Sequence, residues 1–224
     1  MKEEKKNNIF RRIWLWIAYE ASRLLYVILL VPYRPKLITP EGKRFKGSLK
    51  GGAILAANHT TFSDPFVVGS CFWFRKMNFF AADVVMATKT RENLLKAAGA
   101  IKVNRSITDI EAVRSAVQVL KKGRLLLIFP EGAVQAVGQV HDIKSGAALM
   151  AIQAGVPIVP LYICHTQRWY QRRRVIVGDP IDPKDFCTRK FPSTADIANM
   201  TDALYREMQR CAASYKTTKT EETV

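Results

Sequence analysis

Short apolar runs separated by helix-length segments constrain the fold of this chain more than any other feature. The runs are AILAA (53–57), NFFAAD (78–83), LLLIF (125–129), PIVPLYI (157–163) and VIVG (175–178). Each has the length and composition of a strand. Helical spacing and good helix formers occupy the segments between them, which are residues 65–75, 88–98, 107–122 and 144–154. Because strands alternate with helices, the pattern predicts an α/β fold with a mostly parallel central sheet flanked by helices.

The flanking segments set the expected domain organisation. Residues 32–52 are basic and rich in Pro and Gly, which predicts an irregular connector. A final helix is predicted from about residue 193, with Ser193 or Thr194 as its N-cap, and the polar end from residue 215 is expected to fray. With 224 residues, 48% of them hydrophobic, the chain can bury one sizeable core. We therefore predict one α/β domain over residues 36–224, preceded by a separate segment over residues 1–35.

The N-terminal segment IFRRIWLWIAYEASRLLYVILLV (9–31) is apolar but carries charges at Arg11, Arg12, Glu20 and Arg23. These charges leave it too interrupted for a spanning helix or a simple signal peptide. At 100° per residue, the charged residues Arg12, Glu20 and Arg23 gather on one side. The apolar residues on the other side are Ile13, Trp14, Ile17, Ala21, Leu24, Leu25 and Ile28. This pattern predicts an amphipathic helix that lies in the membrane interface. A helix that packs on the core of a soluble protein has the same periodicity and is the alternative.

The charge balance indicates an anionic partner. Thirty-five Lys and Arg against nineteen Asp and Glu give a net charge of +16, which suits nucleic acid, an anionic membrane surface or an acidic carrier protein. The basic stretch WYQRRR (169–174) lacks any nucleic-acid recognition motif, so no nucleic acid partner is expected. No CxxC spacing links the cysteines, which are Cys71, Cys164, Cys187 and Cys211. This spacing favours reduced thiols in a cytosolic compartment over disulfides or a zinc site.

NHTTFSDP (58–65) directly follows the run AILAA, and in open α/β sheets functional residues gather at the carboxyl ends of strands. One hypothesis makes His59 a general base, with Asp64 holding its tautomer and stabilising the imidazolium. A structural hypothesis makes Asp64 the N-cap of a helix that begins with Pro65, and His59 an ordinary loop residue. The two hypotheses for Asp64 are compatible with each other.

FPEG (129–132) follows another strand-like run. Pro130 ends the ladder and Gly132 frees the backbone, which predicts that Glu131 projects at the same edge of the sheet as His59. The alternative for this tetrapeptide is an ordinary surface turn.

GAIKVNR (99–105) predicts a short strand that ends near Arg105. A guanidinium there can grip a phosphate through two oxygens, although a solvated arginine is the alternative. Weaker candidates of the same kind are Lys89, Lys102 and Lys144. The chain has no GxSxG elbow, Walker A loop, GxGxxG or HExxH motif, which argues against a serine acyl-enzyme and nucleotide-driven phosphoryl transfer. No metal or cofactor is expected.

In order and separation, NHTTFSDP, GAIKVNR, FPEG and GVPIVPL resemble the four blocks of the glycerolipid acyltransferase family, which includes the 1-acylglycerol-3-phosphate O-acyltransferases. The resemblance runs from about residue 50 to residue 181 and includes the downstream VIVGDPI. It implies that His59 and Asp64 form the catalytic HxxxxD pair. It also implies that Arg105, Glu131 and Gly132 help bind a glycerol phosphate acceptor, and that residues 156–160 form a strand near the acyl site.

The third block departs from the family pattern. It often continues with Thr or Ser and then Arg, whereas here FPEG continues as Ala133, Val134 and Gln135. The loss of a hydroxyl and a cation bears on which acceptor the chain uses. Candidates for compensation are Lys144, Arg168 and the arginines at 172–174.

The implied activity is transfer of a fatty acyl group from acyl-CoA or an acyl carrier protein to the free sn-2 hydroxyl of lysophosphatidate. The product is phosphatidic acid, and the implied location is the cytoplasmic face of the cell membrane, as a peripheral or monotopic enzyme. Two alternatives stay open. One is an acyltransferase for a different lyso-lipid, which the altered third block suggests. The other is a non-catalytic peripheral protein that binds anionic lipid, a role that would have little need of both His59 and Asp64.

Overall fold

The computed structural model describes residues 35–45, 49–61, 63–104, 109–132, 143–164, 173–189 and 192–221, together with residues 13, 14, 17, 20 and 21. The predicted helix over 9–31 lies largely outside these residues, although the positions described within it are helical. Among them, Ile13, Trp14 and Ile17 are exposed. Across the described part of the chain, no helix combines the length and the apolar character needed to cross a membrane.

One seven-stranded sheet forms the centre of the described structure. Its strands are β1 (Lys36–Ile38), β2 (Ala53–Ala57), β3 (Met77–Ala82), β4 (Ala100–Val103), β5 (Leu125–Ile128), β6 (Ile158–Ile163) and β7 (Arg174–Val177). Their spatial order is β1-β7-β6-β2-β5-β3-β4. Strands β2 to β6 are parallel to one another, whereas β7 is antiparallel to β6 and β1 is parallel to β7. The predicted mostly parallel sheet is thus confirmed.

Helices cover both faces of the sheet. They are α1 (Asp64–Cys71), α2 (Lys89–Ala97), α3 (Ile110–Lys121), α4 (Gly146–Ala154) and α5 (Thr194–Glu221), with 3₁₀ turns at Asp83–Met86 and Pro183–Asp185. Buried side chains of α3, α4 and α5 pack on one face of the sheet. Those of α1 pack on the other face, and α2 packs near the β3–β4 edge.

Strand β2 shows why the runs are apolar throughout. Ile54 and Ala56 point into the core beneath α3, α4 and α5. Ala53, Leu55 and Ala57 point into the core beneath α1. Because successive side chains of a strand point to opposite faces, a strand covered on both faces needs apolar residues at every position.

The predicted boundaries hold to within one residue for the five apolar runs, and Ser193 is confirmed as the cap of α5 because its Oγ accepts from Asp196 N at 3.2 Å. Two predictions were wrong. The connector over 32–52 contains strand β1, which is only three residues long and carries no apolar run. The last helix extends to Glu221, past the expected fraying point at residue 215. The division between residues 35 and 36 stays a prediction.

Strands β1 and β7 begin at the edge of the sheet where the other five strands end. We call the edge at which β2 to β6 end the carboxyl edge. Since β7 is antiparallel to β6, its first residues lie at this edge, and so do the first residues of β1. Lys36 N donates to Arg173 O at 2.9 Å, and the preceding residue, Pro35, is buried. The chain therefore enters the domain at the carboxyl edge.

Candidate active site

The loop after β2 brings His59 and Asp64 together. His59 Nδ1 lies 3.1 Å from Asp64 Oδ2, within hydrogen-bonding distance. The Asp64 side chain is 0% exposed and the His59 side chain 12% exposed. The pair thus lies at the carboxyl edge, with the carboxylate shielded from water and the imidazole at the surface of the site.

The Asp64 carboxylate faces back toward the loop rather than along the helix. The backbone N–H groups of Thr60 and Thr61 each donate to Oδ2 at 2.7 Å, and Thr61 Oγ1 donates to Oδ1 at 2.7 Å. The prediction that Asp64 caps the helix was wrong. Ser63 occupies the N-cap position and Asp64 is the first helical residue, with Pro65 following in the first turn as expected. Because its oxygens accept hydrogen bonds from the loop and from His59, Asp64 holds the His59 ring in position.

These hydrogen bonds fix the ionisation of Asp64. Burial raises the pKa of the carboxyl, but the hydrogen bonds from His59, Thr61 and Thr60 lower it, and the net pKa lies below the ordinary value. An ionised carboxylate only accepts hydrogen bonds, so His59 Nδ1 carries the proton that they share. Nε2 of the neutral ring then has a free lone pair, and none of the described residues hydrogen-bonds it.

Packing holds the imidazole plane in place. The His59 ring stacks on Phe129 at the end of β5, with ring centroids 4.1 Å apart and an interplanar angle of 21°. Next to it, the buried side chain of Asn58 accepts from Ile163 N at 2.6 Å and donates to Ile163 O at 3.3 Å. Contacts with Phe129, directly after β5, and with Ile163, the last residue of β6, therefore hold the loop that carries the His59 ring.

The turn after β5 places Glu131 at the carboxyl edge, two residues beyond Phe129. Gly132 has φ +76°, which side chains rarely tolerate, and its N–H donates to Phe129 O at 3.0 Å. Glu131 is buried, and neither carboxylate oxygen has a hydrogen-bond partner among the described residues. Burial raises the pKa of Glu131 to about 7. The turn is confirmed, but the carboxyl group lies under the surface rather than projecting from it.

Lys144 lies against this turn. Its N–H donates to Pro130 O at 2.9 Å, and a Cβ built on Gly132 would lie 3.1 Å from Lys144 Nζ. The structure thus places a cation at the third block, where the family pattern has an arginine. By contrast, Lys89 Nζ lies 3.4 Å from Glu92 Oε2 in the first turn of α2, and Lys102 is exposed on β4. Arg105 lies outside the described residues.

Arg173 is the residue of this site that sequence analysis did not place. Its Nη1 donates to Ser63 Oγ at 3.2 Å and lies 3.6 Å from Asp64 Oδ1. The sequence suggested the arginines at 172–174 only as cations for the acceptor. The signal that would have placed Arg173 is the antiparallel direction of β7, which brings its first residues to the carboxyl edge. Within the described ranges, no group of three His, Cys, Asp or Glu side chains could hold a metal ion.

A mostly parallel sheet with a His–Asp pair at its carboxyl edge, at HxxxxD spacing, is the arrangement that the sequence resemblance predicts for an acyltransferase. A family model described as Acyltransferase matches residues 33–164, more than half of the chain. The chain therefore belongs to the acyltransferase family.

The relatives to which the chain is similar are named as 1-acyl-sn-glycerol-3-phosphate acyltransferases. The chain is similar to the 1-acyl-sn-glycerol-3-phosphate acyltransferase of Bacillus subtilis, with 23% identity over 163 residues that cover 70% of this chain and 80% of the relative. It is also similar to the enzyme of that name from Streptococcus pneumoniae, with 28% identity over 163 residues, 70% of this chain and 59% of the relative. The crystal structure of the 1-acyl-sn-glycerophosphate (LPA) acyltransferase PlsC from Thermotoga maritima shares the fold. Its TM-score is 0.53 at 17% identity, over 93% of this chain and 83% of that one.

Proposed function

We propose that this protein transfers a fatty acyl group from an acyl thioester to the free sn-2 hydroxyl of 1-acyl-sn-glycerol-3-phosphate, making phosphatidic acid for phospholipid biosynthesis. The observation that carries the proposal is the His59–Asp64 pair at the carboxyl edge, with Nδ1 bound to a buried carboxylate and Nε2 without a hydrogen-bond partner among the described residues. The printed names of the relatives support the acceptor.

The chemistry follows from the protonation of the pair. His59 Nε2 takes the proton of the sn-2 hydroxyl while that oxygen attacks the thioester carbonyl carbon. The resulting tetrahedral oxyanion collapses, the C–S bond breaks, and the leaving thiolate receives the proton from the imidazolium. Asp64 stabilises the imidazolium between these steps and holds the ring in the productive tautomer. The reaction needs no covalent acyl-enzyme.

Groups for the acceptor phosphate lie at the third block. Lys144 supplies a cation there, and the protonated carboxyl of Glu131 can donate a hydrogen bond to a phosphate oxygen. A buried carboxyl without a partner is costly to leave unsatisfied, so an acceptor that hydrogen-bonds it gains that energy on binding. Gly132 leaves room for close approach of the headgroup. Arg105, Lys89 and Lys102 stay candidates from the sequence alone.

The surroundings of the site suit a lipid surface. Phe66 at the start of α1, Val84 and Val85 after β3, and Ile110 at the start of α3 are all exposed, and all follow the carboxyl ends of parallel strands. Strand β1 begins at the same edge, and the net charge of +16 favours anionic headgroups. We infer peripheral or monotopic binding at the cytoplasmic face of the cell membrane, with acyl-CoA or acyl carrier protein as the donor.

The test measures release of the free thiol from acyl-CoA and, in parallel, from acylated acyl carrier protein. The acceptor panel contains lysophosphatidate, zwitterionic lysophosphatidylcholine and uncharged monoacylglycerol. We expect release with lysophosphatidate, and a loss of about 10²- to 10⁴-fold in kcat for His59→Ala.

Asp202→Asn is a control that changes one exposed side chain on α5, and it should keep the wild-type rate. Equal rates for wild type and His59→Ala would reject the catalytic role of the pair. Acylation that ignores the phosphate of the acceptor would instead favour a different lyso-lipid, the alternative that the altered third block left open.

A further inference from the structure

Arg173 contacts the buried partner of the catalytic histidine from a part of the chain that the family model does not reach. That model ends at residue 164, and Arg173 immediately precedes β7. Its side chain is 29% exposed, and its Nη1 lies 3.6 Å from Asp64 Oδ1, where charges attract without a formed hydrogen bond. The same nitrogen donates to Ser63 Oγ at 3.2 Å. One guanidinium thus spans the N-cap and the first residue of α1.

The backbone of Arg173 is fixed independently of these contacts. Its carbonyl accepts from Lys36 N at 2.9 Å, at the start of the β1–β7 ladder. The ladder continues with Arg174 opposite Lys36 in register and with Leu37 opposite Val175. The side chain therefore leaves from an ordered point of the sheet and reaches back toward Asp64.

The charges around His59 show what this cation does. Asp64 faces the imidazole directly, Arg173 faces Asp64 from the start of β7, and Glu131 and Lys144 lie at the turn after β5. Asp64 Oδ2 accepts from His59 Nδ1 and from the backbone N–H groups of Thr60 and Thr61, whereas Oδ1 accepts from Thr61 Oγ1 and faces Arg173. Among the described residues, Arg173 is therefore the cation that offsets the carboxylate on the side away from the ring.

We propose that Arg173 is a positioning residue that balances the charge of Asp64 and so sets how readily His59 gives up its proton. An uncompensated buried carboxylate would hold the imidazolium too strongly. His59 would then stay protonated at a higher pH and return its proton to the leaving thiolate more slowly. The neighbouring guanidinium reduces this effect. The inference rests on the proposed function for its catalytic meaning but makes a prediction that needs no substrate.

The first measurement is therefore an NMR titration of the ¹⁵N-labelled full chain, with the His59 signals assigned by comparison with His59→Gln. In Arg173→Met, we expect the His59 titration curve to move measurably to higher pH, because removing a nearby cation stabilises the imidazolium. Arg173→Lys keeps the charge and should stay near the wild-type curve. Arg189→Gln removes one exposed arginine that pairs with Asp196, and it should not move the curve.

The second measurement is the pH dependence of kcat with lysophosphatidate and acyl-CoA. In Arg173→Met, the acidic limb should move upward by the same amount, with the KM for lysophosphatidate within about twofold of wild type. An unmoved titration with a raised KM would overturn the inference and make Arg173 a phosphate ligand. A loss of kcat that is equal at every pH, with an unmoved titration, would overturn it in favour of a purely structural role. Wild type without acyl transfer would reject the proposed function while leaving the NMR result to decide on Arg173.

Discussion

At the scale of single residues, two carboxyl groups at the carboxyl edge lie in opposite surroundings. Asp64 is fully buried yet meets four donors, which keep its pKa below the ordinary value despite burial. Glu131 is also buried but meets no donor among the described residues, so burial alone raises its pKa to about 7. Environments that push the pKa values of two carboxyl groups apart are typical of sites that need one charged and one neutral acid. Asp64 supplies the fixed charge, and Glu131 the titrating group.

The stability of the protein should therefore depend on Glu131 between mildly acidic and neutral pH. Its pKa is raised from 4.5 to about 7 in the folded state, so the folded protein holds a proton that the unfolded chain releases. This contribution is fully present below about 4.5 and is lost as the pH rises through about 7. Glu131→Gln stays neutral throughout. We expect its free energy of unfolding to match that of wild type near pH 4.5. Above pH 7 it should exceed that of wild type, by at most about 3 kcal/mol.

Urea denaturation across this pH range measures the difference. Glu111→Gln is the matched control, because Glu111 is exposed on α3 and pairs with the exposed Arg114 at 3.5 Å. Its stability should follow wild type at each pH. A wild-type protein and a Glu131→Gln variant whose stabilities differ by the same amount at pH 4.5 and pH 8 would show that the Glu131 carboxyl does not titrate in this range.

At the scale of elements, the loop between β2 and α1 is anchored at its first residue by Asn58. The Asn58 side chain replaces a strand neighbour for Ile163 at the end of β6, with one accepted and one donated hydrogen bond. Asn58→Leu keeps a similar volume but leaves the Ile163 N–H without this acceptor in a buried place. We expect a loss of about 1–3 kcal/mol in unfolding free energy. A fall in kcat should accompany it, since His59 follows directly.

Thermal and urea unfolding would measure that loss, and Asn93→Leu serves as the control because Asn93 is exposed on α2. An exposed substitution of this kind should change stability by no more than about 0.5 kcal/mol. If Asn58→Leu were as stable as Asn93→Leu, the link between β2 and β6 would contribute nothing to the position of the loop.

Some of these elements could be predicted from the sequence, and others could not. The apolar runs of β2, β5 and β6 were predictable because strands buried on both faces must be apolar at every position. Strand β1 was missed because three residues beside Pro and Lys carry too little pattern. The place of Arg173 was missed because strand direction depends on how the chain crosses between β6 and β7, and residue periodicity does not encode that path. The Asp64 cap was wrong for a different reason, because the carboxylate accepts from the preceding loop residues His59, Thr60 and Thr61 and Ser63 takes the N-cap position.

At the scale of the whole molecule, exposed apolar side chains lie at both edges of the sheet but differ in what surrounds them. Val84 is 79% exposed and, with Val85, follows β3 at the carboxyl edge. Phe74 is 56% exposed and lies between α1 and β3, at the opposite edge. If the carboxyl edge faces the lipid surface, only the first group contributes to membrane binding. The comparison of the two edges therefore tests the orientation of the enzyme on its substrate.

The variant Val84→Ser with Val85→Ser should lose about tenfold in partitioning to phosphatidylglycerol vesicles, because two apolar side chains no longer leave water on binding. Its rate on lysophosphatidate held in those vesicles should fall in parallel, while its rate on short-chain acceptor dispersed in detergent should stay near wild type. Phe74→Ser should change neither quantity. Raising the salt should weaken vesicle binding of all three proteins, since the basic surface is screened. Equal losses for the two edges would mean that exposed apolar area acts without orientation, and unchanged partitioning of the valine variant would place the membrane contact elsewhere on the chain.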